Sequence, residues 1–263
     1  MIVAGCDVGS LTAKAFIMNE KGTMAGEIIR VRSTTIDSAT EVMEKALTTA
    51  NLRFSDLDCC CSTGYGRYEI PFARINMSEI SCHGLGAFWV DRSIRTIIDI
   101  GGQDCKIILI DADGNVRDFI MNDKCAAGTG RSLEMLAKTI GVDFENLGDL
   151  AVKSKKPISI TNKCSIFMEL EVVNHLYARK KLKHIACGIV DAVAKRVASL
   201  AKIIDIEDNL CITGGVSKNS GVVRQLSCHM NSSFKPLPVD PQLIGAMGAA
   251  VYAMRALDAE EKT

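Results

Sequence analysis

Two cysteines each follow a lysine where a helical pattern begins: Cys125 in NDKCAAGTGRSLEML (122–136) and Cys164 in TNKCSIFMELEV (161–172). At a helix N-terminus the free N–H groups and the dipole favour the thiolate. Thiolates are soft metal ligands. Two per chain are half of the four that an iron–sulfur cubane or a structural zinc takes. A second copy of the chain, with the metal on a two-fold axis, is the simplest source of the other two. The plainer account is a pair of buried thiols packed as small hydrophobes. Spacing alone does not choose among the three.

A second constellation handles phosphate. CDVGSLTAK (6–14) and IDIGGQDCK (98–106) share one pattern: a strand ending in Asp, a glycine turn, then a second strand opening on Lys. Gly9, Gly101 and Gly102 let backbone N–H groups come close to phosphate oxygens. Asp7 and Asp99 offer hard oxygens to hydrated Mg²⁺, and Lys14 can neutralise phosphate charge. Singly, Asp-x-Gly is well explained as a bare turn. Its duplication, with ITGGVSKN (212–219) as a third glycine turn, points to a nucleoside triphosphate. Gln103 or Asp104 can orient an attacking water, since phosphoryl transfer is mostly positioning; the bland reading is a solvent-facing turn residue.

The elements that must position these groups read as α/β. Strands are expected at 2–8, 14–20 and 24–31, a helix at 38–50, a strand at 57–63, and a helix from Ser78, a suitable N-cap. A second cycle starts near 96 and includes a hairpin, 106–121, around Asp113-Gly114. Helices are expected near 129–140, 165–178 and 185–204, then a strand at 210–215. Two further helices start near Lys218 and span 243–257. The strand–turn–strand–strand–helix order thus occurs twice, a duplication at the scale of a domain. The other nine cysteines read as structural. Cys59, Cys60 and Cys61 alternate faces along a strand and cannot converge on one metal. Cys82-His83 is a packed or capping pair before it is a ligand pair. Cys6 and Cys105 pack beside the phosphate turns; Cys187, Cys211 and Cys228 have no evident partner.

Composition excludes several classes. With 31 basic and 31 acidic residues among 263, the chain has no electrostatic footprint for nucleic acid or an anionic membrane. No apolar run reaches the ~18 residues of a spanning helix. MIVAGCDVGSL lacks the basic start of a signal peptide and reads as a first strand. Eleven cysteines, an odd number in a chain of this length, argue against a disulfide scaffold and for a reducing cytoplasm.

Taken together, DVGSLTAK, DIGGQDCK and TGGVSKN resemble the two phosphate loops and the adenosine loop of the superfamily of acetate and sugar kinases, heat-shock chaperone ATPases and actin. The helix around Glu79 and GAMGAA (245–250) resemble its connecting segments. Within that superfamily, STGYGR (62–67), SEISCHGLGA (78–87), NDKCAAGTGR (122–131) and the motifs above are similar to the ATP-dependent activators of 2-hydroxyacyl-CoA dehydratases, relatives of the ATPase subunits of benzoyl-CoA reductase.

The resemblance implies duplicated actin-like (ribonuclease H-like) ATPase domains, 1–93 with 240–263 and 94–239, with a nucleotide cleft between them. It places Gly9, Ser10, Thr12 and Lys14 on the first phosphate loop, Gly101 and Gly102 on the second, and Gly214, Gly215, Lys218 and Asn219 on the nucleotide. It implies ATP/ADP and Mg²⁺, and a homodimer with one 4Fe-4S cluster held by Cys125 and Cys164 of each chain. A flavodoxin or ferredoxin is the implied electron donor and an iron–sulfur 2-hydroxyacyl-CoA dehydratase the acceptor. Four helix N-termini at about 0.3–1 kcal/mol each would shift a one-electron potential by on the order of 50–170 mV. Gly128 and Gly130 would let the backbone pass close to the cluster, or cap a helix. Lys124 and Lys163 would steer an acidic partner or be plain surface lysines. The nearby alternative is the ATPase subunit of an aromatic-ring reductase. More distant ones are a small-molecule kinase, which needs a catalytic base and no iron, and a nucleotide-sensing regulator.

Overall fold

Near-continuous apolar runs set the two sheets. In the computed structural model, which describes residues 1–122 and 126–260, β1 (Ile2–Val8) lies between β2 (Thr12–Asn19), antiparallel, and β4 (Cys59–Thr63), parallel. The sheet order is β3-β2-β1-β4-β5, with β3 (Gly22–Arg30) and the two-residue β5 (Ile75–Asn76) at its edges. A strand at that central position is covered on both faces; six of the seven β1 residues are buried. All five residues of β4 are buried too, so the Cys59-Cys60-Cys61 run packs to both faces, as the alternation requires.

The second sheet repeats the plan: β8-β7-β6-β9, from β6 (Thr96–Ile100), β7 (Cys105–Ile110), β8 (Val116–Met121) and β9 (Leu210–Thr213). The β7–β8 turn closes through Asp111, whose carboxylate accepts from the Asp113 and Asn115 amides, both at 2.9 Å. That network holds the Asp111 carboxyl below its usual range, chiefly through the Asn115 amide.

The helices are α1 (Thr35–Ala50), α2 (Glu79–Val90), α3 (Gly130–Thr139), α4 (Phe144–Val152), α5 (Ser165–Tyr177), α6 (Leu182–Ala201), α7 (Ser220–Met230) and α8 (Ile244–Glu260). Ser78 caps α2 as its type predicts, accepting from the Ser81 amide at 3.1 Å. Helix α1 starts a turn earlier than its apolar spacing suggested, because Thr34 caps it through the Asp37 amide at 3.0 Å. Helix α4 was not expected. Gly148 in its middle weakens the pattern, yet a Cβ there would lie 2.8 Å from Asn219 Oδ1, so the glycine is required by packing. The small residues of α8 have the same cause. A Cβ on Gly248 would fall 1.8 Å from Cys82 O, and one on Gly5 would fall 1.9 Å from Ala246 O, so α8 packs by its backbone on α2 and β1.

The chain divides into two compact units, Met1–Ile97 with Ile108–Asp118 and Pro236–Thr263, and Ile98–Ile107 with Phe119–Lys235. In the first, β1, β2 and α1 share a core of Ala4, Ile17, Val42, Met43 and Leu47; in the second, Ile98, Ile107, Leu133, Leu136, Val190 and Val193 pack together. No helix among the described residues is long and apolar enough to cross a membrane.

Candidate functional site: two phosphate turns and an open thiol

Each half of the duplication builds the same corner. In the first, Asp7 is the last residue but one of β1 and Lys14 lies directly across the hairpin. Lys14 Nζ sits 3.0 Å from Asp7 Oδ2. Between them the Gly9 amide donates to Thr12 O at 3.0 Å, closing a four-residue turn that contains Ser10. The parallel strand β4 sets Thr63 beside Asp7. The chain then turns at Gly64 with φ +86°, where a Cβ would be 2.4 Å from Asp7 Oδ1. The Thr63 hydroxyl is buried, with the weakly polar Cys82 thiol beside it.

The second corner repeats this residue by residue. The Gly101 amide donates to Asp104 O at 3.0 Å, with Gly102 and Gln103 between. Lys106 Nζ lies 2.6 Å from Asp104 Oδ1 and 3.7 Å from Asp99 Oδ2. Thr213, ending β9, donates its hydroxyl to Asp99 Oδ1 at 2.9 Å. Gly214 follows with φ +81°, and a Cβ there would be 2.8 Å from Asp99 Oδ1. Asp7 and Asp99 are each only 4% exposed. A carboxylate is kept that deep only beside cations or strong donors. Both corners place a lysine against the aspartate and leave turn amides outside the turn bond, an arrangement suited to an oxyanion with its metal.

The remaining candidates divide. Gly215 and Lys218 lie in the short 3₁₀ turn Gly215–Lys218, where Lys218 is exposed. Asn219 is buried and caps α7, accepting from the Val222 amide at 3.0 Å. Gln103 is exposed at the tip of its turn, whereas Asp104 is buried beneath Lys106. The start of α3 is tied to the second phosphate turn by two backbone bonds, Gly130 N–H to Gly101 O and Arg131 N–H to Gly102 O, both 2.9 Å. Gly130 thus serves approach to the phosphate turn; a Cβ would meet Gly101 O at 3.1 Å.

Cys164 is the N-cap residue of α5, in extended conformation, with its carbonyl accepting from the Met168 amide at 2.9 Å. It is half-buried and makes no disulfide. Ile166, Phe167 and Leu170, 71%, 60% and 55% exposed, lie on the next turns. Cys125 and Lys124 lie outside the described residues. Five other described thiols are sealed in the interior: burial pushes Cys6, Cys60, Cys82 and Cys105 well up, and Cys61 up to about 12. Such thiols are poor ligands. A half-buried thiol at an open helix start fits a soft metal or an iron–sulfur cluster.

Sequence reasoning passed over four residues that the corners contain: Lys106, Gly64, Thr213 and His83. The duplication held the signal for three. Lys106 stands where Lys14 stands, and Thr63-Gly64 matches Thr213-Gly214. His83 was read as a packed side chain, and it is buried. Its Nε2 also points at the corner, since a Cβ on Gly245 would lie 2.9 Å from it and 3.1 Å from Asp7 Oδ2.

Comparison with known proteins gives the same picture. Residues 4–253 match the BadF/BadG/BcrA/BcrD ATPase family. The chain is 42% identical over 259 residues to the 2-hydroxyisocaproyl-CoA dehydratase activator of Clostridioides difficile, covering 96% of this chain and 95% of that one. Among solved structures, the activator of the 2-hydroxyisocaproyl-CoA dehydratase from Clostridium difficile with bound ADPNP superposes with a TM-score of 0.94 at 40% identity, covering 100% of this chain and 98% of that one. A ROK family glucokinase from Streptomyces griseus, at 12% identity and a TM-score of 0.61 over 97% of this chain and 100% of that one, shows the fold alone. The expected duplicated actin-like fold is thereby borne out.

Proposed function

Because the chain belongs to the BadF/BadG/BcrA/BcrD ATPase family, we propose that it is the ATP-driven activator of an iron–sulfur 2-hydroxyacyl-CoA dehydratase. Gly9, Ser10 and Thr12 in one half, and Gly101 and Gly102 in the other, hold the phosphates of ATP through backbone amides. Asp7 and Asp99 orient the waters of a Mg²⁺ ion, hard carboxylates that suit a cation which dehydrates reluctantly. Lys14 and Lys106 fix those carboxylates and balance phosphate charge. Gln103, at the exposed tip of its turn, places the attacking water; Asp104 positions Lys106. Gly214, Gly215 and Lys218 form the adenosine side, with Asn219 capping the helix beneath.

Cys125 and Cys164 of two copies hold one 4Fe-4S cluster. When bound, that cluster supplies a one-electron carrier, filled by a flavodoxin or ferredoxin and emptied into the dehydratase. The exposed Ile166, Phe167 and Leu170 beside Cys164 suit burial against a second copy. The observation that carries the reading is the pair of backbone bonds joining the second phosphate turn to the start of α3. Helix α3 begins five residues after Cys125 in the sequence, so a change at the phosphates is passed by main-chain hydrogen bonds to the start of the helix that follows that cysteine.

The test is anaerobic purification with iron and sulfide counted per dimer, and spectra before and after dithionite. Four irons per two chains, lost in Cys164→Ser and in Cys125→Ser, are expected. An iron-free dimer that still activates a dehydratase, or a Cys164→Ser protein with full iron, sinks the proposal.

A further inference from the structure

The second unit contains a cavity of about 270 Å³ that none of the roles above uses. Its described walls are the end of β8 with Asn122, Cys105 of β7, the chain at 127–128, and the last turns of α6 with Ile203 just beyond them. Ile120, Met121, Ala127, Val197, Leu200 and Ile203 give it an apolar lining. Its polar lining is mostly spoken for. Asn122 exchanges bonds with the main chain of Cys105: its Oδ1 accepts from the Cys105 N–H at 2.8 Å, and its backbone N–H donates to Cys105 O at 3.0 Å. The Ser199 hydroxyl donates to Lys195 O at 2.7 Å. Arg196 is different. It lines the cavity half-buried, its stem lies against Gly128, and among the described residues its guanidinium makes no hydrogen bond or ion pair.

A half-buried guanidinium with no protein acceptor among the described residues can give its donors to a ligand, and its planar fork matches a carboxylate. The apolar walls favour a hydrocarbon body over water, and a phosphate or a sugar would leave its own polar atoms unpaired against them. The volume is that of about nine waters at ~30 Å³ each, enough for an acid of about six carbons. We propose that this cavity binds a small aliphatic monocarboxylate, its carboxylate on Arg196 and its chain against Ile120, Val197 and Leu200. The site is separate from the phosphate corners and does not depend on the activator reading.

Hexanoate is the probe, titrated into the intact metal-loaded protein and followed by ligand-detected proton NMR. Saturable binding at one site per chain is expected. Arg196→Gln should weaken it by about ten- to a hundredfold, the worth of a hydrogen bond to a charged group, and Arg196→Lys should restore part of it. Hexanamide, which lacks the charge, and acetate, which lacks the body, should both bind more weakly than hexanoate. Among the described residues Arg196 has no hydrogen-bond or ion-pair partner to lose, so the variants are expected to fold, which circular dichroism checks. Absence of saturation in the millimolar range overturns the proposal. So does binding that Arg196→Gln leaves unchanged, or acetate binding as well as hexanoate.

Discussion

Replacing Lys106 by Met tests the logic of the second corner. Lys106 is 3% exposed and lies 2.6 Å from Asp104 and 3.7 Å from Asp99, which are 6% and 4% exposed. The substitution keeps the packing volume and takes the lysine charge away from two buried carboxylates that lie near each other. Breaking a buried pair from one side costs about 3–5 kcal/mol, and here one cation serves two anions. Lys14→Met is the internal control. Its side chain is 13% exposed and neutralises one carboxylate, so its loss is expected to cost less. With a urea slope of about 1–3 kcal/mol/M, Lys106→Met should lower the unfolding midpoint of nucleotide-free protein by on the order of 1–5 M. Adding Asp104→Asn removes one stranded charge and should recover a large part of the loss. Midpoints are read by circular dichroism in a double-mutant cycle. If Lys106→Met unfolds with Lys14→Met or with the parent, or if Asp104→Asn recovers nothing, the buried charges do not hold the corner as argued.

Other outcomes follow from the same geometry. Gly214→Ala forces a Cβ to 2.4 Å from Ile100 O at φ +81° and ψ 172°, a glycine-only conformation that costs another residue about 1–3 kcal/mol before any clash. It should abolish ATP binding in a fluorescent-nucleotide titration, and retained affinity would count against the adenosine assignment. Stability should fall at alkaline pH. Burial raises the Cys61 thiol to about 12, so its contribution is intact below the unfolded value near ~8.5. Above that the unfolded chain sheds the proton first and gains about 1.4 kcal/mol per pH unit, until the folded thiol titrates as well. Urea midpoints measured from pH 8 to 10 should decline, with a shallower decline in Cys61→Ala; parallel slopes would contradict this. Gly130→Val, placed where a Cβ meets Gly101 O at 3.1 Å, should uncouple ATP hydrolysis from dehydratase activation. Equal loss of both activities would show a folding defect instead.

The turns were legible because their chemistry is local: Asp, Gly and Lys at fixed offsets force a strand, a tight reversal and a second strand. The pairing of Lys106 with two carboxylates was also in the pattern, but only once the two halves are aligned on each other. Gly64 was harder to see. Its importance comes from β4 lying parallel to β1, a contact between residues more than fifty apart that no local periodicity reports. Helix α4 was hidden by Gly148, whose cause is a tertiary contact with Asn219. Cys164 was placed correctly at a helix start, since a break in polarity followed by SIFMELEV is a local signal. The apolar exposure just beyond it is a surface property that sequence does not give.

The uneven burial of sulfur across the chain sorts its chemistry. Eight of the ten described cysteines are sealed inside, and Cys164 and Cys228 alone are open to solvent to any degree. Among the described thiols of the metal-free chain, an electrophile or an oxygen-derived oxidant therefore finds these two first, while the eight interior sulfurs stay mute until the fold opens. Mass-resolved alkylation over time becomes a ruler for local opening, with Cys228 as an always-on reference.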